Sequence, residues 1–351
     1  MKQPKHNQHM KIKSAILAVA LCVGLPASQG ADLPTVRVSL FSWPGYGFWF
    51  IAKEKNLAPD ISLDIQIIED PYESFGQMAA GKLDVASSTG EYGPIAADAA
   101  NGIKLVAVTN PSTGTDKIIL GPKIESASDL KGQPVAVLEG GLTQIFMAMW
   151  LEKNGVKFDE VKYVNVVMDD AVSAMVGGKV AAGEFWEPFG GQVLKSLKGS
   201  KSVANSGEEE WLKTGLLGDG LYMSDAFLAK PGLAKKAMKA YWDAVDWWRK
   251  NPAEGNAIIA KGIKFEVKDV EDVLGKEDKP FSGGIYCFDL TQAAQFMGVL
   301  PGDPPLGLKN DQIKEHWNLT SKWWLKFGLI KKENPIESGI SFEPIKSLAK
   351  P

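Results

Sequence analysis

The chain contains an internal repeat, and this repeat restricts its fold more than any other feature of the sequence. Residues 78–82 (MAAGK) recur 97 positions later as residues 175–179 (MVGGK). Each copy is followed by a short strand-like run and then by a turn with a glutamate and a proline, at residues 91–94 and 186–189. Units of this length exceed the repeats of solenoid proteins. The repeat therefore predicts two similar lobes that face one another, with a cleft in which a small ligand can bind.

Strand-like and helical segments alternate through the first two thirds of the chain. Strands separated by helices need crossover connections, so we predict the α/β class, with doubly wound, mainly parallel sheets covered by helices on both faces. After residue 220 the sequence becomes helical, and aromatic residues at helical spacing predict core helices at residues 231–250 and 311–327. The predicted strands span residues 36–41, 61–68, 83–87, 104–109, 134–138, 163–167 and 180–185.

The position of the second copy in the chain implies that one of the two lobes is discontinuous in sequence. The chain would leave the first lobe, form the second and return to complete the first. We therefore predict that residues 34–115 and 221–351 form the first lobe and that residues 116–220 form the second. Two crossing segments, residues 115–120 and 219–223, would form a two-strand hinge.

The amino terminus has the pattern of a secretory signal. Lys11 and Lys13 precede an apolar run over residues 15–25, and residues 28–30 supply the small side chains that a signal peptidase requires. We therefore predict a cleavable signal peptide over residues 1–30 and a protein of the periplasm.

Two further features of the predicted signal peptide concern its start and the possibility of a lipid anchor. Met10 is an alternative start, since a basic region follows it directly. The residue before Cys22 is Leu21, where a lipoprotein signal has a small residue, so the sequence favours a soluble protein over a lipid-anchored one.

The charge of the chain excludes some partners. Without residues 1–30 it has 35 Lys and Arg against 42 Asp and Glu, a net charge of about −7, which argues against nucleic acid or an anionic membrane as a partner. Cys287 is then the one remaining cysteine, and we expect a buried thiol. We expect a monomer of two ordinary domains.

Several kinds of catalytic site lack the necessary residues. After residue 30, His316 is the one histidine, so neither a Ser-His-Asp nor a Cys-His mechanism has a base near a predicted cleft loop. A zinc site would need several His or Cys ligands, and no phosphate-binding glycine loop is present. We therefore predict that the protein is not an enzyme and that it binds neither a cofactor nor a metal. Catalysis by carboxylates alone is the alternative, and it accounts for the sequence less well.

The candidate ligand-binding residues follow the predicted strands, because ligands of parallel sheets bind beyond the carboxyl ends of the strands. Each also has a structural interpretation: the glycines as turns, the aromatic residues as core, and Glu91 and Glu187 as caps of helix dipoles. Glu91 and Glu187 occupy equivalent positions in the two copies. The candidates are Trp43, Tyr46, Ser88, Thr89, Glu91, Thr113, Asp116, Glu139, Gly140, Gly141, Thr143, Trp186, Glu187 and Asp219.

The signs of the charges in these loops point to the chemistry of the ligand. The two arginines, Arg37 and Arg249, lie outside the candidate loops, whereas five of the candidates are acids. Buried acids need partners. We therefore predict a ligand with a cationic or donor-rich nitrogen group flanked by aromatic surfaces, and we expect Glu187→Gln to weaken its binding.

Several short stretches resemble one family of proteins. The chain is similar to the periplasmic substrate-binding proteins of the nitrate/sulfonate/taurine/bicarbonate type of ABC importer. The stretches that carry the resemblance are residues 43–46 (WPGY), 80–84 (AGKLD), 112–116 (STGTD), 129–132 (DLKG), 186–188 (WEP) and 288–290 (FDL).

The resemblance implies a periplasmic-binding-protein fold of type II, with two α/β lobes, a two-strand hinge and ligand capture by closure. It also implies a small-molecule solute and delivery to a membrane permease with its ATPase. In the family, the segments matching residues 43–46 and 186–188 face the ligand. Among its members the chain is most similar to those associated with urea, guanidine or related nitrogen compounds.

Four alternatives stay open. These are a binding protein of the same family for an anion such as nitrate, sulfonate or bicarbonate, one for a pyrimidine precursor, a periplasmic or pyrimidine-synthesis enzyme on the same fold, and a solute receptor without a transporter.

Overall fold

The computed structural model describes residues 33–215, 217–276, 279–280 and 283–349. The predicted signal peptide, the alternative start at Met10 and the lipid-anchor position at Cys22 lie outside the described residues. Within the described ranges, no helix has both the length and the apolar character that a membrane crossing requires.

The strands alternate with helices in the order that the sequence predicts. They are β1 (Thr35–Leu40), β2 (Ser62–Ile67), β3 (Val85–Thr89), β4 (Ile103–Pro111), β5 (Lys117–Leu120), β6 (Pro134–Val137), β7 (Lys162–Asn165), β8 (Ala182–Phe185), β9 (Lys201–Asn205), β10 (Gly218–Ser224), β11 (Gly275–Lys276) and β12 (Lys279–Pro280).

The helices of the carboxyl-terminal third include the two long ones with aromatic residues. The helices are α1 (Phe48–Glu54), α2 (Pro71–Ala79), α3 (Gly93–Asp98), α4 (Leu142–Lys153), α5 (Met168–Val176), α6 (Phe189–Ser196), α7 (Glu209–Leu212), α8 (Asp225–Leu228), α9 (Pro231–Lys250), α10 (Pro252–Ile263), α11 (Val267–Leu274), α12 (Leu290–Phe296), α13 (Ile313–Phe327) and α14 (Glu343–Lys346).

Two five-stranded sheets share one architecture. Their strand orders are β2-β1-β3-β10-β4 and β7-β6-β8-β5-β9. In the first, β2 and β3 run parallel to β1, whereas β10 is antiparallel to both of its neighbours. In the second, β7 and β8 run parallel to β6, and β5 is antiparallel to both of its neighbours. The predicted duplicated α/β architecture is confirmed.

The antiparallel strand of each sheet, β5 or β10, lies where the chain crosses from one sheet to the other. β5 follows the first half in the chain but lies in the second sheet, and β10 follows the second half but lies in the first sheet. The predicted crossing segments thus form strands inside the sheets. Residues 218–220 were expected in the second lobe but pair with β3 and β4 of the first. They are glycine-rich because a Cβ at Gly220 would lie 2.5 Å from the Leu105 side chain.

The long helix α13 packs on both lobes, which corrects the assignment of residues 221–351 to the first lobe alone. Ile313 and Trp317 at its start belong to the core of the first lobe. Trp323 and Trp324 near its end belong to the core of the second lobe. The aromatic spacing predicts a buried helix, but it carries no information about which lobe each turn contacts.

Candidate functional site

A cavity lies beyond the carboxyl ends of β1, β3, β6 and β8. Its volume is about 30 Å³, which is room for two or three water molecules or a planar group of a few atoms. Both halves of the repeat contribute to its wall. The lining residues are Phe41, Trp43, Tyr46, Thr89, Tyr92, Asn110, Ser112, Asp116, Leu138, Gly141, Leu142, Thr143, Trp186, Gly218, Asp219 and Ile285.

Asp219, at the start of β10, is the best-supported acid of this cavity. Its Oδ2 accepts hydrogen bonds of 2.8 Å from Trp43 Nε1 and from Asn110 Nδ2. Its Oδ1 accepts one of 2.8 Å from the Tyr46 hydroxyl. Burial raises the pKa of Asp219 to about 6, and these three donors oppose the increase. The carboxyl is therefore held rigidly but has no cation to balance it among the described residues.

The stretch WPGY explains how two aromatic donors reach one carboxyl. Trp43 is extended, and Pro44 begins a short 3₁₀ turn, Pro44–Tyr46. A Cβ at Gly45 would lie 2.6 Å from Trp43 Nε1 and 2.7 Å from Asp219 Oδ2. Only glycine allows the turn to pass this close to the carboxyl. The motif thus places Trp43 and Tyr46 on either side of Asp219.

Asp116 is the second acid that lines the cavity, just before β5. Its Oδ2 accepts a hydrogen bond from the Ser112 hydroxyl, which lies 2.6 Å from the Ser206 hydroxyl. The Asp116 N–H donates in turn to Ser206 Oγ. Burial raises the pKa of Asp116 to about 7; the charge of Asp219 adds to this, whereas the hydrogen bond from Ser112 opposes it.

Two more acids lie buried behind the wall of the cavity. Glu91 and Glu184 have no measurable exposure. Burial raises the pKa of each well above its usual value, and the charge of Asp116 adds to both increases. Neither forms a salt bridge with a described lysine or arginine. Within the described chain, no group of His, Cys, Asp or Glu side chains has the arrangement of a metal site.

Glu184 was missed by sequence reasoning, although a signal was present. It is the one charged residue in the otherwise apolar run of β8 (AGEF). A charged residue in a fully buried strand needs a specific explanation. The repeat drew attention to Glu187 instead, because that position matches Glu91.

Aromatic rings from both lobes close the cavity. The Phe41 ring lies 4.9 Å from that of Tyr46 and 5.7 Å from that of Trp186. The rings of Trp43 and Trp186 are 6.4 Å apart. Trp186 Nε1 is buried and has no acceptor among the described residues, so it can donate to a ligand.

The amino terminus of α4 supplies the second lobe's other contribution. Gly141 is its N-cap residue and offers no side-chain acceptor. A Cβ at Gly141 would lie 2.7 Å from the Tyr92 hydroxyl, so glycine lets the two lobes approach. Tyr92 donates a hydrogen bond of 3.2 Å to the Glu139 carbonyl. The Thr143 hydroxyl is used locally, because it accepts from the Leu138 N–H and donates to the Leu138 carbonyl.

The cavity brings together eight of the fourteen candidates. These are Trp43, Tyr46, Thr89, Asp116, Gly141, Thr143, Trp186 and Asp219. The candidates outside its wall are Ser88, Glu91, Thr113, Glu139, Gly140 and Glu187.

Glu187 lies away from the cavity because it has other partners. Its carboxylate pairs with Lys117 of β5 and accepts a 2.9 Å hydrogen bond from the Gly191 N–H. β5 and β8 are paired with Lys117 opposite Phe185, which places the ammonium within reach. The expectation that Glu187→Gln weakens a ligand directly has no geometric basis in this structure.

The lining residues that were not predicted are mostly neighbours of predicted ones. Ile285 is the exception, because it comes from a distant loop that contains no predicted site residue. The unpredicted lining residues are Phe41, Tyr92, Asn110, Ser112, Leu138, Leu142, Gly218 and Ile285.

His316 is closer to the site than its place in the sequence implies. It was expected far from the cleft loops, but a Cβ at Gly90 would lie 2.9 Å from its Nε2. Its Nδ1 lies 3.3 Å from the Gly215 carbonyl oxygen. Helix α13 brings it there, and it does not line the cavity.

Comparisons with known proteins agree with this architecture. A presumed binding protein of Brucella abortus (strain 2308) is 26% identical over 273 residues, which are 74% of this chain and 81% of that protein. The alkanesulfonate-binding protein SsuA from Xanthomonas axonopodis pv. citri, bound to MOPS, has a TM-score of 0.68 at 16% identity, covering 89% of this chain and 99% of the other. The periplasmic nitrate-binding protein NrtA from Synechocystis PCC 6803 has a TM-score of 0.65 at 13% identity, covering 90% and 87%. The fold is therefore that of the periplasmic binding proteins, as predicted.

The family model described as NMT1/THI5 like matches residues 43–255. This range is more than half of the 351 residues, and it contains the stretch WPGY together with Asp116, Glu184 and Asp219. The chain belongs to the NMT1/THI5-like family.

Proposed function

We propose that this chain is the solute-binding component of an ABC-type importer, which captures a small nitrogen compound in the periplasm and delivers it to a membrane permease with its ATPase. Relatives that are named as sulfonate-binding and nitrate-binding proteins support the transport role. One observation carries the ligand class: two buried carboxyls, Asp116 and Asp219, line a small cavity whose wall contains no lysine, arginine or histidine among the described residues. The ligand is therefore cationic or rich in N–H donors.

The electrostatics of the cavity favour a cation over an anion. Lys117 follows Asp116 in the chain, and its ammonium pairs with Glu187 outside the wall. An anion in the cavity would face Asp116 and Asp219 without a compensating positive charge. A cation would instead relieve the cost of burying these carboxyls.

The remaining acceptors suit a compact planar group. A carboxylate has about four acceptor sites, and Asp219 uses three of them for protein donors. Asp116 uses one oxygen for Ser112, which leaves the other. A guanidinium or urea-like group can donate to both acids while its face lies against Trp43 or Trp186.

A zwitterion such as an amino sulfonate is the second candidate. The uncapped amino terminus of α4 carries partial positive charge and lines the cavity at Gly141 and Leu142. Trp186 Nε1 is a further free donor. In such a ligand the ammonium would contact the two acids and the anionic group would contact α4.

Capture would proceed by closure of the lobes. A ligand that first contacts Asp219, Trp43 and Tyr46 of the first lobe gains contacts to Trp186 and α4 only when the second lobe approaches. Because only these later contacts differ between the open and closed forms, they determine how strongly the ligand favours closure.

A ligand screen on purified mature protein tests the proposal. Thermal shift and calorimetry would compare guanidinium, urea, methylammonium and taurine with nitrate and methanesulfonate. We expect stabilisation by a cation or by taurine, and none by nitrate or methanesulfonate. Binding of the simple anions alone would contradict the ligand class while leaving the transport role in place.

The enzyme alternative is tested with the same samples. The bound compound is incubated with an excess of protein and recovered for mass spectrometry. Unchanged compound agrees with a binding protein, whereas conversion in a single turnover would overturn that role.

A further inference from the structure

The indole N–H of Trp186 belongs to the wall of the cavity and has no acceptor. Its Nε1 is buried, and no described atom accepts a hydrogen bond from it. The indole of Trp43, which comes from the other lobe, donates to Asp219. A buried N–H group without a partner costs about as much free energy as a lost hydrogen bond. Such a group in the wall of a binding cavity therefore needs a specific explanation.

The two carboxyls of the wall receive their hydrogen bonds from other donors. Three side chains of the first lobe donate to the oxygens of Asp219. The Ser112 hydroxyl donates to Asp116. The wall thus offers a ligand two different kinds of partner, since the acids accept hydrogen bonds and the indole of Trp186 donates one.

The angle between two tryptophan rings suits this division of partners. The ring planes of Trp43 and Trp186 are inclined at 70°, and their centroids lie 6.4 Å apart. A planar ligand that stacks on Trp43 therefore meets the ring of Trp186 at a steep angle. Because the indole N–H lies in the plane of its own ring, it can donate to an atom at the edge of that ligand.

Burial of the Trp186 indole depends on contact between the lobes. Trp186 follows β8 of the second lobe, and its ring packs against the core of the first lobe, 5.7 Å from the ring of Phe41. When the lobes separate, the indole loses this cover and its N–H can bind water. A ligand that replaces this water on closure loses affinity unless it supplies an acceptor of its own.

We propose that Trp186 determines specificity: its N–H binds an oxygen of the ligand, so that closure of the lobes favours ligands that carry this oxygen. The inference rests on the nitrogen-compound class proposed above and narrows it. The preferred ligand has N–H donors for Asp116 and Asp219 and, at another edge, an oxygen acceptor, as in a urea or a carboxamide. Guanidinium has the shape of urea but no acceptor, so it leaves the indole N–H unpaired.

Calorimetry of the mature protein and of Trp186→Phe, with urea and with guanidinium, tests the proposal. The variant keeps an aromatic ring but has no N–H. We expect its affinity for urea to be about tenfold lower than that of the wild type, because one hydrogen bond is lost. Its affinity for guanidinium should be about threefold higher, because no buried N–H is left unpaired. A ring that acted by packing alone would weaken the binding of both ligands.

Trp242→Phe is the matched control. Nε1 of Trp242 is also buried without a described acceptor, but Trp242 does not line the cavity. We expect both affinities of this variant to stay within about twofold of the wild-type values.

The possible results separate this inference from the proposed function. If Trp186→Phe changes both affinities in the same direction, or if the wild-type protein binds guanidinium but not urea, the inference alone is overturned. If neither compound binds, the ligand class fails and the inference fails with it.

A second measurement does not depend on the folding of the variant. Nuclear magnetic resonance of the wild-type protein follows the exchange of the Trp186 indole hydrogen with solvent. We expect urea to slow this exchange more than guanidinium does, and equal protection by the two ligands would contradict the inference.

Discussion

The two copies of the repeat place a glutamate at the same position after the third strand, yet the two side chains have different surroundings. Glu91 of the first copy is fully buried beside the cavity and has no described cation as a partner. Glu187 of the second copy pairs with Lys117 and lies outside the cavity. In the second lobe Glu184, three residues earlier, takes the buried position. Equivalent positions in a duplicated sequence therefore share backbone geometry, whereas the role of the side chain depends on the neighbouring strand.

The largest expected effect on ligand affinity is that of replacing Asp219, whose carboxyl accepts three hydrogen bonds. Asp219→Asn removes the charge while keeping the shape, and loss of one partner of a buried charge pair costs about 2–5 kcal/mol. We expect the affinity for guanidinium to fall by about a hundredfold or more, as measured by calorimetry. Glu187→Gln is the matched second-lobe variant and should change affinity by less than about threefold. Equal losses of affinity in both variants would mean that Glu187 contributes as much to ligand binding as Asp219, which would contradict the different roles of the two acids.

The second prediction concerns stability against pH. The folded-state pKa values of Asp219 and Asp116 are raised to about 6 and about 7, so the folded protein keeps protons that the unfolded chain releases. Their contribution to the free energy of unfolding is fully present below about pH 4. It decreases by about 1.4 kcal/mol per pH unit for each carboxyl as pH rises toward the folded-state pKa, and it is lost above that pKa.

Thermal denaturation between pH 5 and pH 8 measures this dependence through the linkage slope. Asp219→Asn should flatten the slope, whereas Glu187→Gln should leave it unchanged. A free protein whose stability rises steadily over this range would contradict the buried, proton-holding acids.

The third prediction compares the glycines that let each lobe reach the cavity. Gly45→Ala would bring a Cβ within 2.7 Å of Asp219 Oδ2, and Gly141→Ala would bring one within 2.7 Å of the Tyr92 hydroxyl. We expect each to weaken guanidinium binding about tenfold, a cost of about 1.4 kcal/mol. Gly76→Ala in α2 has nothing within 4 Å and should raise stability slightly without a change in affinity. Full affinity in Gly45→Ala would mean that the WPGY turn does not position Asp219.

The smallest effect is expected for stability at the two matched glutamates. Glu187→Gln loses a partly buried ion pair and should lower the free energy of unfolding by about 1 kcal/mol or less. Glu91→Gln replaces a buried acid, whose pKa is well above its usual value, with a neutral group of the same shape, so near neutral pH it should leave stability unchanged or raise it. Thermal denaturation of both variants measures the difference in stability. A larger loss of stability in Glu91→Gln than in Glu187→Gln would mean that Glu91, and not Glu187, makes the stabilising contacts.

The fold could be predicted because its signals are local. Strands and helices follow from apolar periodicity, and the predicted bounds of α9 (Pro231–Lys250) agree with the structure. The crossings of the chain at β5 and β10 follow from the spacing of the repeat, whereas the packing of α13 on both lobes and the pairing of residues 218–220 in the first sheet depend on contacts between distant segments. No local pattern records which sheet accepts a strand, so the lobe boundaries were wrong at residues 218–220 and along α13.

The candidate site divides in the same way. Trp43, Tyr46 and Asp116 lie in turns and loops that the sequence marks, Asp219 lies at the start of β10 between two glycines, and the structure brings all four to one cavity. Glu187 was chosen by symmetry, and its pairing with Lys117 follows from strand register that the sequence does not show. Ile285 reaches the cavity from a distant loop without any sequence signal.

The most direct test of the acidic cavity is a crystal structure of the mature protein grown with guanidinium and nitrate together at equal concentration. We expect guanidinium nitrogens within hydrogen-bond distance of the carboxyl oxygens of Asp219 and Asp116, with Trp43 and Trp186 against the planar face of the ion. Nitrate bound between these same residues, with the guanidinium absent, would contradict the account.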